Sequence, residues 1–148
     1  MPVRTARTAW NGTLQEGSGQ VELTSSGAAT FDVSFPRRAA DDAEGVTSPE
    51  ELIAAAHSSC YAMALSAELG NAGGTPEQVE VGADVTLAPD PAGGFRISAV
   101  ALTVRGFASG VDEAGFKAAA EAAKAGCPVS KALAGGVDAI TLDVTFEG

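Results

Sequence analysis

Residues 47–69, Thr47-Ser48-Pro49-Glu50-Glu51-Leu52-Ile53-Ala54-Ala55-Ala56-His57-Ser58-Ser59-Cys60-Tyr61-Ala62-Met63-Ala64-Leu65-Ser66-Ala67-Glu68-Leu69, decide how the rest of the chain is read. The stretch opens as a helix. Ser48 suits the cap, Pro49 suits the first helical position, and Glu51 stands where a capping box needs an acid. About five turns follow with hardly a charge. A surface helix shows one apolar stripe, whereas this one is apolar nearly all round, which predicts burial in the middle of the fold. At the centre of that rod sit His57, Ser58, Ser59 and Cys60, the last being one of only two cysteines in the chain.

The other cysteine, Cys127, lies between Gly126 and Pro128. Glycine ends helices and proline starts them, so Cys127 is expected at a helix N-cap. Unpaired backbone N–H groups and the helix dipole there favour a thiolate. Local electrostatics alone make Cys127 the more acidic thiol. Cys60, in the middle of a helix, needs a cation brought from elsewhere.

The 148 residues suit one domain, 1–148, with a real core. A hydrophobic content of 45% excludes a disordered chain. A net charge of −10 argues against nucleic acid, which calls for clustered Lys and Arg. The first residues lack the apolar region of a secretory signal, and no run reaches the roughly 18 apolar residues of a membrane span. The reading is therefore cytoplasmic, without membrane attachment. In a reducing compartment two cysteines that pair do so transiently, as chemistry.

Around the central helix the pattern alternates between strands and helices. Residues 3–24 read as strands, with Asn11-Gly12 as a hairpin signal. Phe31 to Phe35 forms a third strand ended by Pro36, and a polar loop, 39–46, leads into the helix. Two long strands, 79–87 and 95–104, follow the Gly73-Gly74 break. A helix over 112–125 carries Phe116, Ala119, Ala120 and Ala123 on one face. A short helix from Pro128 and a final strand over 140–146 complete the chain. This order reads as α+β, with one main sheet packed on helices.

Each chemical candidate has a plain alternative. A buried cysteine is ordinarily a small hydrophobe. Arg37-Arg38 would ordinarily be solvated, yet the chain has only nine Lys and Arg in all. Glu50 lies about 80° from Cys60 around the helix and about 15 Å from it along the axis, so it cannot touch Cys60 of its own helix. It can serve a thiol only across a partner chain. A zinc site of His57, Cys60 and Cys127 lacks the fourth ligand of a structural site. No phosphate-binding glycine motif is present.

Residues 47–66, together with Ala125-Gly126-Cys127-Pro128-Val129-Ser130-Lys131-Ala132-Leu133, closely resemble the osmotically inducible protein C / organic hydroperoxide resistance (OsmC/Ohr) family. His57 and the Glu50-Glu51 pair resemble its OsmC branch. The resemblance covers nearly the whole chain. It implies antiparallel sheets packed around two long helices in an intertwined homodimer. It implies a cofactor-free and metal-free thiol peroxidase acting on organic hydroperoxides and, less well, on hydrogen peroxide. Under it Cys60 is the attacking thiol and Cys127 the resolving one, joined in a disulfide during turnover. Glu50 salt-bridges an activating arginine, Arg38 or else Arg37. The resemblance also implies an external dithiol reductant of lipoyl-protein type and a role in oxidative and osmotic stress. The rival expectation is a non-catalytic dimer of the same fold whose cysteines are inert.

Overall fold

The computed structural model describes all residues, 1–148. The elements, in order, are β1 (Arg7–Asn11), β2 (Ser18–Glu22), β3 (Thr30–Val33), α1 (Phe35–Arg38), α2 (Pro49–Asn71), β4 (Thr75–Pro89), β5 (Phe95–Ser109), α3 (Glu113–Gly126), α4 (Pro128–Leu133) and β6 (Ala139–Phe146). The class is α+β, with two three-stranded sheets in place of the one main sheet expected. The chain forms two compact units, Met1–Leu52 and Ile53–Gly148.

In the first unit β1, β2 and β3 make an antiparallel sheet in sequential order. Asn11 pairs with Ser18, so the Asn11-Gly12 signal opens a six-residue loop and not a two-residue turn. Gly12 takes φ +91°, a left-handed conformation that side chains resist. The third strand is shorter than expected. Ser34 caps α1 by accepting the Arg37 N–H, and Pro36 sits in the first turn, where its missing donor costs nothing. A proline read as a strand terminator is therefore a helix starter.

The start of α2 follows the sequence closely. Ser48 Oγ accepts the Glu51 N–H at 3.1 Å. The reciprocal half of the capping box is absent, because Glu51 instead accepts the Thr47 hydroxyl at 2.5 Å.

In the second unit β4 and β5 form a long antiparallel pair, and β6 runs parallel to β5. The sheet is thus mixed, where an antiparallel one was expected. A parallel neighbour needs a crossover, and α3 and α4 supply it. The core gathers Tyr61, Leu65 and Leu69 of α2, Val100, Leu102, Val104 and Ala108 of β5, the expected alanine face of α3 with Phe116, and Cys127. Phe116 packs on Phe146 of β6 with ring centroids 5.4 Å apart.

Burial of α2 on all sides is not what one chain provides. His57, Tyr61, Leu65 and Leu69 recur every fourth residue and are fully buried. Ala55, Ala56, Ser59, Ser66 and Ala67 are exposed, and Met63 is 73% exposed. The chain covers one face of this helix and leaves an apolar face open. No helix is long and apolar enough to cross a membrane.

Candidate active site

Two groups of predicted residues come together, one in each unit. In the first unit Arg38 ends α1 and Glu50 begins α2. Arg38 Nη2 donates to Glu50 Oε1 at 2.6 Å, and Nε donates to Oε2 at 3.0 Å. Such a fork-to-fork pair fixes the guanidinium plane as well as its charge. Burial pushes the Glu50 carboxyl up. Hydrogen bonds from Arg38 and the Glu50 backbone, the Arg38 charge and a Ser48 hydrogen bond more than offset this, so Glu50 is held below its ordinary value. Arg37 turns the other way, to Glu44 at 2.5 Å on the exposed loop. Beside Arg38 lies a cavity of about 370 Å³, lined mainly by apolar groups that include Trp10, Leu14, Val33, Phe35 and Leu52.

In the second unit the Cys60 and Cys127 sulfurs stand 3.3 Å apart, although the residues are 67 positions apart in sequence. Both are free thiols, Cys60 half-buried and Cys127 fully buried. Cys127 joins α3 to α4, as the Gly-Cys-Pro run predicts, and its N–H donates to Ala123 O at 2.8 Å. Burial penalises the Cys127 anion. The backbone N–H groups of Ser130 and Val129, the Cys60 thiol and the Ser130 hydroxyl outweigh that penalty and hold Cys127 below its ordinary value. Cys60 moves the opposite way. Burial pushes it up, the Val129 backbone opposes this, and the neighbouring Cys127 pushes it up further. None of the groups of the second unit that act on Cys60 is a cation.

Residues 41–141 match the family profile described as OsmC-like protein. The chain belongs to the OsmC family. Among curated relatives of this OsmC-family chain, the peroxiredoxin OsmC of Escherichia coli (strain K12) is 41% identical over 138 residues, covering 93% of this chain and 92% of the relative. The organic hydroperoxide resistance protein OhrA of Bacillus subtilis (strain 168) is 35% identical over 102 residues, covering 68% and 69%. The crystal structure of OhrB of Bacillus subtilis superposes with a TM-score of 0.73 at 30% identity, covering 95% of this chain and 98% of that one. An organic hydroperoxide resistance protein OsmC from Legionella pneumophila gives 0.72 at 26% identity, covering 98% and 99%.

Two residues of this OsmC-family chain take places that the sequence reading did not foresee. His57, considered there as a zinc ligand and as a mark of the OsmC branch, has its Nε2 2.7 Å from Ser130 Oγ. Ser130, 4% exposed, went unremarked. A signal was available, since Ser130 is the third residue of a helix capped by Cys127, close enough for its N–H and hydroxyl to face the cap. Tyr61 of α2 is core. It is fully buried, and its hydroxyl donates to Ala120 O at 2.7 Å.

Proposed function

We propose that this OsmC-family protein is a thiol peroxidase for organic hydroperoxides, with Cys60 and Cys127 as its redox pair. The observation that carries the reading is the 3.3 Å approach of two free thiols brought from opposite halves of the chain. The relatives named peroxiredoxin and organic hydroperoxide resistance protein support the same class of reaction.

The Cys60 thiolate attacks the outer peroxide oxygen. The O–O bond breaks, the alkoxide takes a proton and leaves as alcohol, and Cys60 becomes a sulfenic acid. The Cys127 thiolate then attacks the Cys60 sulfur. The S–O bond breaks, hydroxide takes a proton and leaves as water, and a disulfide remains. An external dithiol, of lipoyl-protein type, reduces it by exchange.

The first step needs Cys60 as anion, whereas its surroundings in the second unit favour the anion on Cys127. A cation must reverse that order. In this reading Arg38, aimed by Glu50, supplies it to the Cys60 of a partner chain in a homodimer. The open apolar face of α2 around Met63 supports such a dimer, because exposed apolar surface of this kind favours association. The apolar cavity beside Arg38 suits the alkyl part of a hydroperoxide, with Phe35 in its wall.

Free thiols counted before and after one equivalent of cumene hydroperoxide test the reading. Two thiols lost per chain is the expected result, and an unchanged count overturns the proposal in favour of an inert dimer of the same fold.

A further inference from the structure

His57 has no part in the chemistry just described, yet it is a polar side chain buried on the long helix. It is fully buried, its Nε2 meets Ser130 Oγ at 2.7 Å, and its Nδ1 is buried without a hydrogen-bond partner. Burial pushes the imidazole down, so the ring is neutral at pH 7 and carries one proton. Placed on Nδ1, that proton would be a buried donor with no acceptor, a costlier orphan than a bare lone pair. It therefore belongs on Nε2, where it is donated to the Ser130 oxygen.

The Ser130 hydroxyl has one proton of its own. With its oxygen accepting from His57, that proton is free for the Cys127 sulfur, because Ser130 is the third residue of the helix that Cys127 caps and its hydroxyl favours the Cys127 anion. We propose that His57 is a positioning residue for the resolving step: it holds the Ser130 oxygen so that the Ser130 hydroxyl is committed to the Cys127 thiolate. The line runs from α2 through α4 to the joint between α3 and α4. It places a hydrogen bond on the nucleophile that attacks the Cys60 sulfenic acid, a step whose atoms balance as written above. That last use rests on the peroxidase reading, but the commitment of the Ser130 proton does not.

The other titratable groups facing Cys127 are few. From α2 come Cys60 and Tyr61. Tyr61 is pushed up by burial, by Glu121 of α3 and by Cys127, and keeps its proton. Within its own chain the groups that act on Cys127 are Ser130, Val129 and Cys60, none of them a cation, and Arg38, brought to Cys60 from a partner chain in the peroxidase reading, is present in every variant compared.

The test is a titration of Cys127 by the ultraviolet absorbance of its thiolate, in a Cys60→Ser background that leaves one thiol. Ser130→Ala is expected to move the transition to higher pH. His57→Asn, too short to reach Ser130, is expected to do the same. His57→Gln, whose amide N–H reaches the position of Nε2–H, is expected to stay near the parent. A Ser130→Ala transition at the parent's pH overturns the proposal, as does a folded His57→Asn that titrates like His57→Gln. With Cys60 restored, Ser130→Ala should slow disulfide formation about tenfold at pH 7, the effect of one lost hydrogen bond to a charged group. Sulfenic acid formation at Cys60 is followed separately. If the unmodified protein forms no disulfide at all, the peroxidase reading fails, while the titration still decides the role of His57 and Ser130.

Discussion

Arg38 and Glu50 meet with two donors on two acceptors, Nη2 to Oε1 at 2.6 Å and Nε to Oε2 at 3.0 Å. One side chain ends a four-residue helix and the other opens a helix of 23 residues. The pair is only partly open to solvent, with the Arg38 side chain 31% exposed and that of Glu50 11%. It therefore has both a structural and a chemical consequence.

The structural consequence is a dependence on acid. Glu50 is held below its ordinary value, so its contribution to stability is present above the unfolded carboxyl pKa of about 4.3 and is lost as pH falls through the lower folded value. Urea unfolding at fixed protein concentration should find Glu50→Gln about 1–2 kcal/mol less stable than the parent at pH 7. That gap should close as the pH falls below about 4. A gap that stays constant down to full protonation would show that the carboxylate charge is irrelevant.

The chemical consequence concerns Arg38. Arg38→Ala should slow reaction with cumene hydroperoxide at pH 7 by about tenfold or more, since a nearby cation lowers an anion's pKa by one to three units. Raising the pH should recover much of the rate by refilling the Cys60 thiolate. Arg37→Ala should change little, because Arg37 pairs with Glu44 and not with Glu50. Equal losses in the two variants would remove the special role given to Arg38.

The thiols should separate cleanly. Cys60→Ser is expected to consume no peroxide while remaining folded. Cys127→Ser should complete one turnover and stall as a trappable sulfenic acid, which excess peroxide over-oxidises. Mass spectrometry of the treated variants reads both outcomes. Sustained dithiol-dependent turnover by Cys127→Ser at the parent rate would end its resolving role.

A mixed dimer distinguishes service in cis from service in trans. One chain carries Glu50→Ala and the other Cys60→Ser, so the only attacking thiol sits in the chain without Glu50. In trans, that thiol keeps an intact Glu50 from its partner and reacts at close to the parent rate per remaining Cys60. A rate equal to that of the Glu50→Ala homodimer rejects the partner arrangement.

The sequence made some of these features legible and hid others, for physical reasons. Ser48 with Pro49 marked the start of α2, and Gly126-Cys127-Pro128 marked the joint of α3 and α4, because caps are local chemistry. The parallel β5–β6 pairing was hidden, since period-two alternation tells strand from helix but not the direction of a neighbour. The short α1 was hidden because Pro36 is as compatible with a first helical turn as with the end of a strand. Arg37 and Arg38 are equivalent in composition, and only the turn of α1 sends one to Glu44 and the other to Glu50. The contact of His57 with Ser130 spans 73 positions, beyond any local pattern.

The separation of Cys60 from Cys127 along the chain, 67 positions, has a further consequence for heat tolerance. A covalent bond between them turns most of the second unit into a closed ring and strips conformational freedom from the unfolded chain. For a ring of that size the chain-entropy estimate is about 4 kcal/mol at 25 °C. The oxidised protein should therefore melt later than the reduced one. Each peroxide consumed would leave the molecule temporarily more robust, and each reduction would return it to its softer, reactive form.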